Sequence, residues 1–162
     1  MQILHIVKLL VLLTIANGAP VIAKRVWGKR FARPLDGGSR FIDGRPLFGA
    51  SKTIRGVVLA VAATSIAAPL LGLTVSTGVL VGVGAMAGDL LSSFTKRRLD
   101  FKPSSQATGL DQIPESLIAA LLCWQQLSLT AADVVAVVGL FFVGEIVLSR
   151  WLFHLRIRDR PY

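Results

Sequence analysis

The apolar positions of this chain fall in long unbroken runs, with neither strict alternation nor a single apolar face, and five runs account for most of the sequence. Ile3 to Ala23 is long enough, at about 1.5 Å per residue, to cross a hydrocarbon core of about 30 Å. Val57 to Leu73 and Val75 to Phe94 follow with almost nothing polar between them, which predicts a tight helical hairpin. Ile113 to about Thr130 is interrupted by Gln125 and Gln126, and Val134 to Phe153 closes the series with Glu145 inside it. The pattern predicts an all-α integral membrane protein of five transmembrane helices, forming a single membrane domain over residues 1–162.

Composition agrees with the pattern. Apolar residues make up 53% of 162 and charged residues only 17%, with a mean hydropathy of +0.65. Such a chain is neither disordered nor an ordinary soluble domain. Cys123 is the single cysteine, so an internal disulfide and a multi-thiolate zinc site are excluded, and it reads as a small packing residue.

Charge sets the expected orientation. Of the 18 Lys and Arg residues, 17 lie in two polar stretches, Lys24 to about Arg55 and Lys96 to about Glu115, and in a tail region from Arg150 to Arg160. Five spans put all of these on one side, while the connections near Gly72 to Thr74 and Gln126 to Ala132 carry no basic residue. The positive-inside rule then predicts an outside N-terminus, two basic cytoplasmic loops, a cytoplasmic C-terminus and residence in the cell membrane. A cleaved signal peptide competes for the N-terminus, because Lys8 precedes an apolar run and small residues follow at Ala16 to Ala19. Cleavage would translocate the basic stretch, so the uncleaved span is the expectation. The net charge of +9 invites a nucleic-acid partner. However, the basic residues follow the membrane topology and lack an aromatic platform, so no nucleic acid is expected.

Polar groups gather where the third run ends, in GDLLSSFTKRR from Gly88 to Arg98. At about 100° per residue, Asp89, Ser93 and Lys96 lie within about 60° of one another, and Arg97 is about 80° from Asp89. Gly78, Gly82 and Ala85 continue that face as a smooth stripe, a helix-packing groove within one chain or between two, so the oligomeric state stays open. Asp89 stands about 7 to 8 Å inside the end of its span, where a lone carboxylate is expensive. Two remedies are open: a partner cation, Lys96 or Arg97, or Mg²⁺ shared with substrate phosphates.

The first polar stretch adds the glycine turns Asp36-Gly37-Gly38 and Asp43-Gly44, then Lys52, Thr53 and Arg55 at the start of the second run. Glycine turns let backbone N–H groups approach phosphate oxygens, although they are also ordinary turns. In the second stretch Asp111 is either a second metal carboxylate or a solvated turn residue. Glu145 faces a polar cavity, pairs with a basic group or holds internal water; the sequence leaves this open, as it does the role of Lys8.

Three blocks together resemble the CDP-archaeol synthase family of membrane cytidylyltransferases: DGGSRFIDGRPLFGASKTIRG at Asp36 to Gly56, GDLLSSFTKRRL at Gly88 to Leu99, and LDQ at Leu110 to Gln112. Length and layout extend the resemblance over nearly the whole chain. The broader phosphatidate cytidylyltransferases are similar in their Asp, Ser and Lys-Arg pattern but are longer. The resemblance implies transfer of CMP from CTP to a membrane lipid phosphate, with Asp89 and Asp111 holding Mg²⁺ and Lys52, Lys96 and Arg97 meeting phosphates. The expected catalytic set is Asp89, Lys96 and Asp111. Gly37, Gly38, Lys52, Thr53, Arg55, Ser93 and Arg97 are expected at the substrate phosphates. Two positions depart from the family pattern: Ile54 replaces an aromatic, and Pro114-Glu115 stands where another aspartate is usual. The alternatives are a synthase of CDP-diacylglycerol and a non-catalytic membrane protein of transport or assembly.

Overall fold

The computed structural model describes residues 2–28, 30–102, 105 and 107–154. Five helices follow the order of the apolar runs: α1 (Ile3–Trp27), α2 (Ile54–Leu70), α3 (Val75–Arg98), α4 (Gln112–Leu122) and α5 (Ala131–His154). The only β-pairing among the described residues is two isolated bridges, Pro34 with Thr53 and Arg40 with Pro46. Lys29 and the tail arginines Arg156, Arg158 and Arg160 lie outside the described residues.

Helix ends differ from the expected ones for local reasons. α2 starts at Ile54 because the Thr53 hydroxyl caps it, accepting the Gly56 N–H at 3.1 Å. It stops at Leu70, where Gly72 turns the chain at φ +68° toward α3. Thr74 caps α3 in the same way through the Thr77 N–H at 3.2 Å. α3 then runs four residues beyond the apolar run, so Lys96, Arg97 and Arg98 are helical.

The largest correction concerns the fourth run. Helix α4 ends at Leu122 rather than near Thr130, and its 11 residues span only about 17 Å. The segment after it is a chain of turns in which Leu127 N–H donates to the Cys123 carbonyl and Leu129 N–H to that of Trp124. Within this segment the Gln126 side chain accepts a hydrogen bond from the Thr77 hydroxyl at 3.0 Å, holding the turns against the start of α3. By length and composition α1, α3 and Ala131–Trp151 of α5 suffice to cross a membrane, whereas α2 and α4 are shorter apolar helices.

α3 is the central helix, packed between α2 on one side and α4 on the other. The stripe of small residues is the packing groove on the α2 side: a Cβ at Gly82 would lie 2.8 Å from Val61 Cα. On the α4 side a Cβ at Gly88 would lie 2.3 Å from the Pro114 carbonyl oxygen. Backbone-to-backbone approach of this kind admits only glycine and lets the helices gain dispersion contacts along their length.

α1 and α5 run side by side in the same direction. At their starts the Gln2 backbone N–H donates to Asp133 at 3.0 Å, and Asp133 and Thr130 cap α5 reciprocally. Further along, the Asn17 amide donates to Glu145 at 2.9 Å beside an apolar cavity of about 630 Å³ between the two helices. Lys8 extends toward the α2–α3 turn, with its Nζ 3.6 Å from where a Gly72 Cβ would stand.

Gly88→Ala is expected to destabilise the detergent-solubilised protein by about 1–3 kcal/mol or more, because its new methyl meets backbone. Gly139→Ala, with nothing within 4 Å of its Cβ, is expected to leave the thermal melt unchanged. Equal melting temperatures for the two variants would remove the close α3–α4 approach.

Candidate functional site

The site forms where loop 1 (residues 28–53) folds over the far end of α3 and the start of α4. Asp36 organises the loop. Its Oδ1 accepts the Gly38 N–H at 3.0 Å and its Oδ2 accepts those of Phe48 and Gly49, each at 3.0 Å. Burial on its own would raise the Asp36 pKa, but the N–H groups of Phe48, Gly38 and Gly49 outweigh it and hold the carboxyl below 3.8. The two ends of the loop close on each other, with Leu35 N–H donating to the Lys52 carbonyl and Ile54 N–H to that of Arg33. This places Lys52 opposite α3.

Asp89 has its cation, and it is neither Lys96 nor Arg97. Lys52 Nζ lies 2.6 and 2.5 Å from the two Asp89 carboxylate oxygens. Lys96 instead pairs with Asp111 at 2.5 Å. Asp111 is not a solvated turn residue: it also accepts the Ser92 hydroxyl at 2.8 Å and the Ala107 N–H at 2.9 Å. Two lysine–aspartate pairs thus stand on neighbouring faces of α3, one closed by loop 1 and the other by the segment before α4.

Arg97 follows Lys96 on α3, within electrostatic range of Asp111, and is only 5% exposed. One of its nitrogens, Nη2, donates to the Lys102 carbonyl at 3.1 Å. Its Nε and Nη1 are buried with no hydrogen-bond partner. Gly49 comes close to its stem, a Cβ there lying 4.0 Å from Arg97 Cδ. A buried guanidinium with unused donors is a costly arrangement that an anion relieves.

The other expected phosphate groups have internal duties. The Gly37 N–H donates to the Pro34 carbonyl at 3.2 Å and the Gly38 N–H to Asp36, so neither is directed outward as a cradle. Thr53 is the α2 cap. Arg55 donates to the backbone carbonyls of Arg30 and Gly28, tying the end of α1 to the start of α2. Ser93 is buried on α3, whereas its neighbour Ser92 is the hydroxyl that reaches Asp111. Glu115 is buried in the first turn of α4.

Ser92, Arg45 and Arg98 were not among the expected site residues, and Asp36 was read only as part of a turn. Asp36 alone had a sequence signal, an Asp-Gly-Gly turn whose side chain binds backbone ahead of it. Among the described residues no three of His, Cys, Asp and Glu gather as a metal site. Asp89 and Asp111 are nonetheless hard oxygen donors of the kind Mg²⁺ takes when substrate phosphates and water complete its shell, so the donor chemistry fits that ion.

Comparison with known proteins points the same way. The family described as CarS-like, CDP-archaeol synthase, matches residues 2–162. A CDP-archaeol synthase of Pyrobaculum calidifontis is 35% identical over 153 residues, covering 91% of this chain and 91% of that protein. One from Hyperthermus butylicus is 36% identical over 104 residues, covering 60% of this chain and 59% of that protein. A solved structure described as an intramembrane enzyme for archaeal membrane lipids biosynthesis superposes with a TM-score of 0.71 at 28% identity, covering 85% of this chain and 90% of that one.

The depressed Asp36 pKa fixes the sign of a pH effect. The carboxylate's contribution to loop order is complete above 3.8 and is lost as pH falls through the lower folded value. Hydrogen exchange at the Gly38, Phe48 and Gly49 amides is expected to stay slow from neutral pH to about pH 4 and to accelerate below it. Asp36→Asn should expose all three amides at every pH; unchanged protection in that variant would dismiss the role of Asp36.

Proposed function

The chain belongs to the CarS-like CDP-archaeol synthase family, and we infer that it transfers CMP from CTP to the phosphate of an archaeol-type ether lipid, releasing pyrophosphate. The observation that carries the assignment of the site is Arg97, a buried guanidinium with two unpaired donor atoms whose stem lies against Gly49 of loop 1.

The chemistry asks for charge management more than for a protein nucleophile. An oxygen of the lipid phosphate attacks the α-phosphorus of CTP, the bond to the β-phosphate breaks, and pyrophosphate leaves with the electron pair. Both reactants are anions, so fixed cations must lower their repulsion where negative charge accumulates. In the resting protein Lys52 and Lys96 are neutralised by Asp89 and Asp111, which keeps the buried charges affordable. When the phosphates arrive, the lysine ammonium groups turn from carboxylate to phosphate over short distances, and Arg97 offers its unused donors. The freed Asp89 and Asp111 are the residues that would hold Mg²⁺. That ion, when bound, supplies charge neutralisation and Lewis acidity at the phosphoryl oxygens.

The membrane arrangement follows from charge. Loop 1 and the segment from Lys96 to Glu115 carry most of the basic residues, which supports a cytoplasmic site with an outside N-terminus and all five helices crossing or entering the bilayer. There CTP approaches from water while the lipid keeps its tails between helices.

Purified protein given labelled CTP, Mg²⁺ and an archaeol-type phosphate is expected to move label into the organic phase, with weaker transfer to phosphatidic acid. Equal use of both lipids would discard the ether-lipid preference. Asp89→Asn should reduce transfer by about 100-fold or more with membrane insertion intact; retained turnover removes Asp89 from the mechanism. Arg97→Gln should raise KM for CTP by at least about tenfold, and an unaltered KM would break the assignment of its free donors to phosphate.

A further inference from the structure

Arg98 is the residue after the phosphate-facing arginine, and its side chain turns the other way, onto loop 1. Its Nε lies 3.0 Å from Asp43 Oδ2 and its Nη2 donates to the Pro46 carbonyl at 2.7 Å. The guanidinium carbon lies 4.9 Å from the Phe41 ring centre and 4.7 Å from that of Phe94, and the two rings meet edge to face at 5.2 Å. Arg45 returns the exchange, donating from loop 1 to the carbonyls of Arg97 and Arg98. Those carbonyls belong to the last turn of α3, whose dipole favours a cation, and that of Arg97 also accepts the Asp100 N–H at 3.3 Å. Each partner therefore sends an arginine into the backbone of the other.

This reciprocal clasp stands directly upstream of the site. After Pro46 the chain runs through Phe48 and Gly49, both held by Asp36, to Lys52 on Asp89. Resting on the CTP reading above, we propose that Arg98 is a positioning residue for CTP: through the Phe41–Pro46 hairpin it fixes loop 1 on α3, so that Lys52 is in place on Asp89 and the Gly49 backbone beside Arg97 before the nucleotide binds. Lysine cannot replace it, because the planar guanidinium stacks on two rings while one edge pairs with Asp43 and Nη2 reaches the Pro46 carbonyl.

The test combines exchange and kinetics on the full chain in detergent. In Arg98→Ala the loop 1 amides from Gly38 to Gly49 are expected to exchange at least tenfold faster and to recover protection at saturating CTP. KM for CTP should rise about tenfold, while KM for the lipid phosphate and kcat stay within about twofold, and Arg98→Lys should regain less than half of the loss. Asp43→Asn, on the exposed hairpin and far from the helix core, should shift the same quantities in the same direction by about threefold, which keeps the test valid if Arg98→Ala misfolds. Unchanged exchange overturns the clasp. Faster exchange with KM for CTP unmoved, an equal rise in both KM values, full rescue by lysine, or a fall in kcat alone overturns the positioning role. A wild-type protein that transfers no CMP would instead sink the reaction reading, and the exchange data with equilibrium CTP binding would still decide the clasp.

Discussion

A carboxylate on an apolar helix must be neutralised where it stands, and the pairing of Asp89 with Lys52 does this across 37 positions of sequence. The contact joins the two parts of the molecule that have least in common, a glycine-rich polar loop and a helix built to pack in hydrocarbon. Without Lys52, Asp89 would be an unpaired charge in a partly buried setting, which is destabilising. Without Asp89, the loop would lose its charged anchor on α3. The second pair, Lys96 with Asp111, repeats the arrangement for the segment that leads into α4. Both pairs hold a lysine ammonium against a carboxylate, so each cation is kept close to α3 without a net buried charge.

The same logic explains why α3 carries so many small residues. A helix that presents charged groups on two neighbouring faces needs partners on both, close enough to shield the pairs from lipid. Gly82 admits α2 and Gly88 admits α4, each to backbone distance. Packing in the hydrophobic part of the helix and electrostatics at its end are therefore one design, with the glycines determining how near Lys52 and Asp111 come.

Much of this was legible in the sequence, and the rest was hidden for identifiable reasons. Long apolar runs gave the order and number of helices, and the 3.6-residue period placed Asp89, Lys96 and Arg97 together at the end of α3. Periodicity places residues on a helix but does not say what approaches it, so Lys52 was read as a phosphate ligand and not as the partner of Asp89. Ser93 was favoured over Ser92 because the wheel was centred on Asp89, whereas Asp111 comes in from the α4 side. Hydropathy does not distinguish an apolar helix from apolar turns, so α4 was drawn through the turns that follow Leu122. Arg45 and Arg98 looked like topogenic charge because their targets, carbonyls and aromatic rings in the opposite segment, leave no spacing signature.

The contact between Gly88 and Pro114 bears on how such a protein tolerates its surroundings. Because backbone touches backbone there, the register of α3 against α4 is set by hard sterics inside the protein, one residue from Asp89 and three from Asp111. Bilayers of different thickness can then tilt this helix pair with little change in the spacing of Asp89 and Asp111, so the arrangement of the two acids is insulated from the membrane around it.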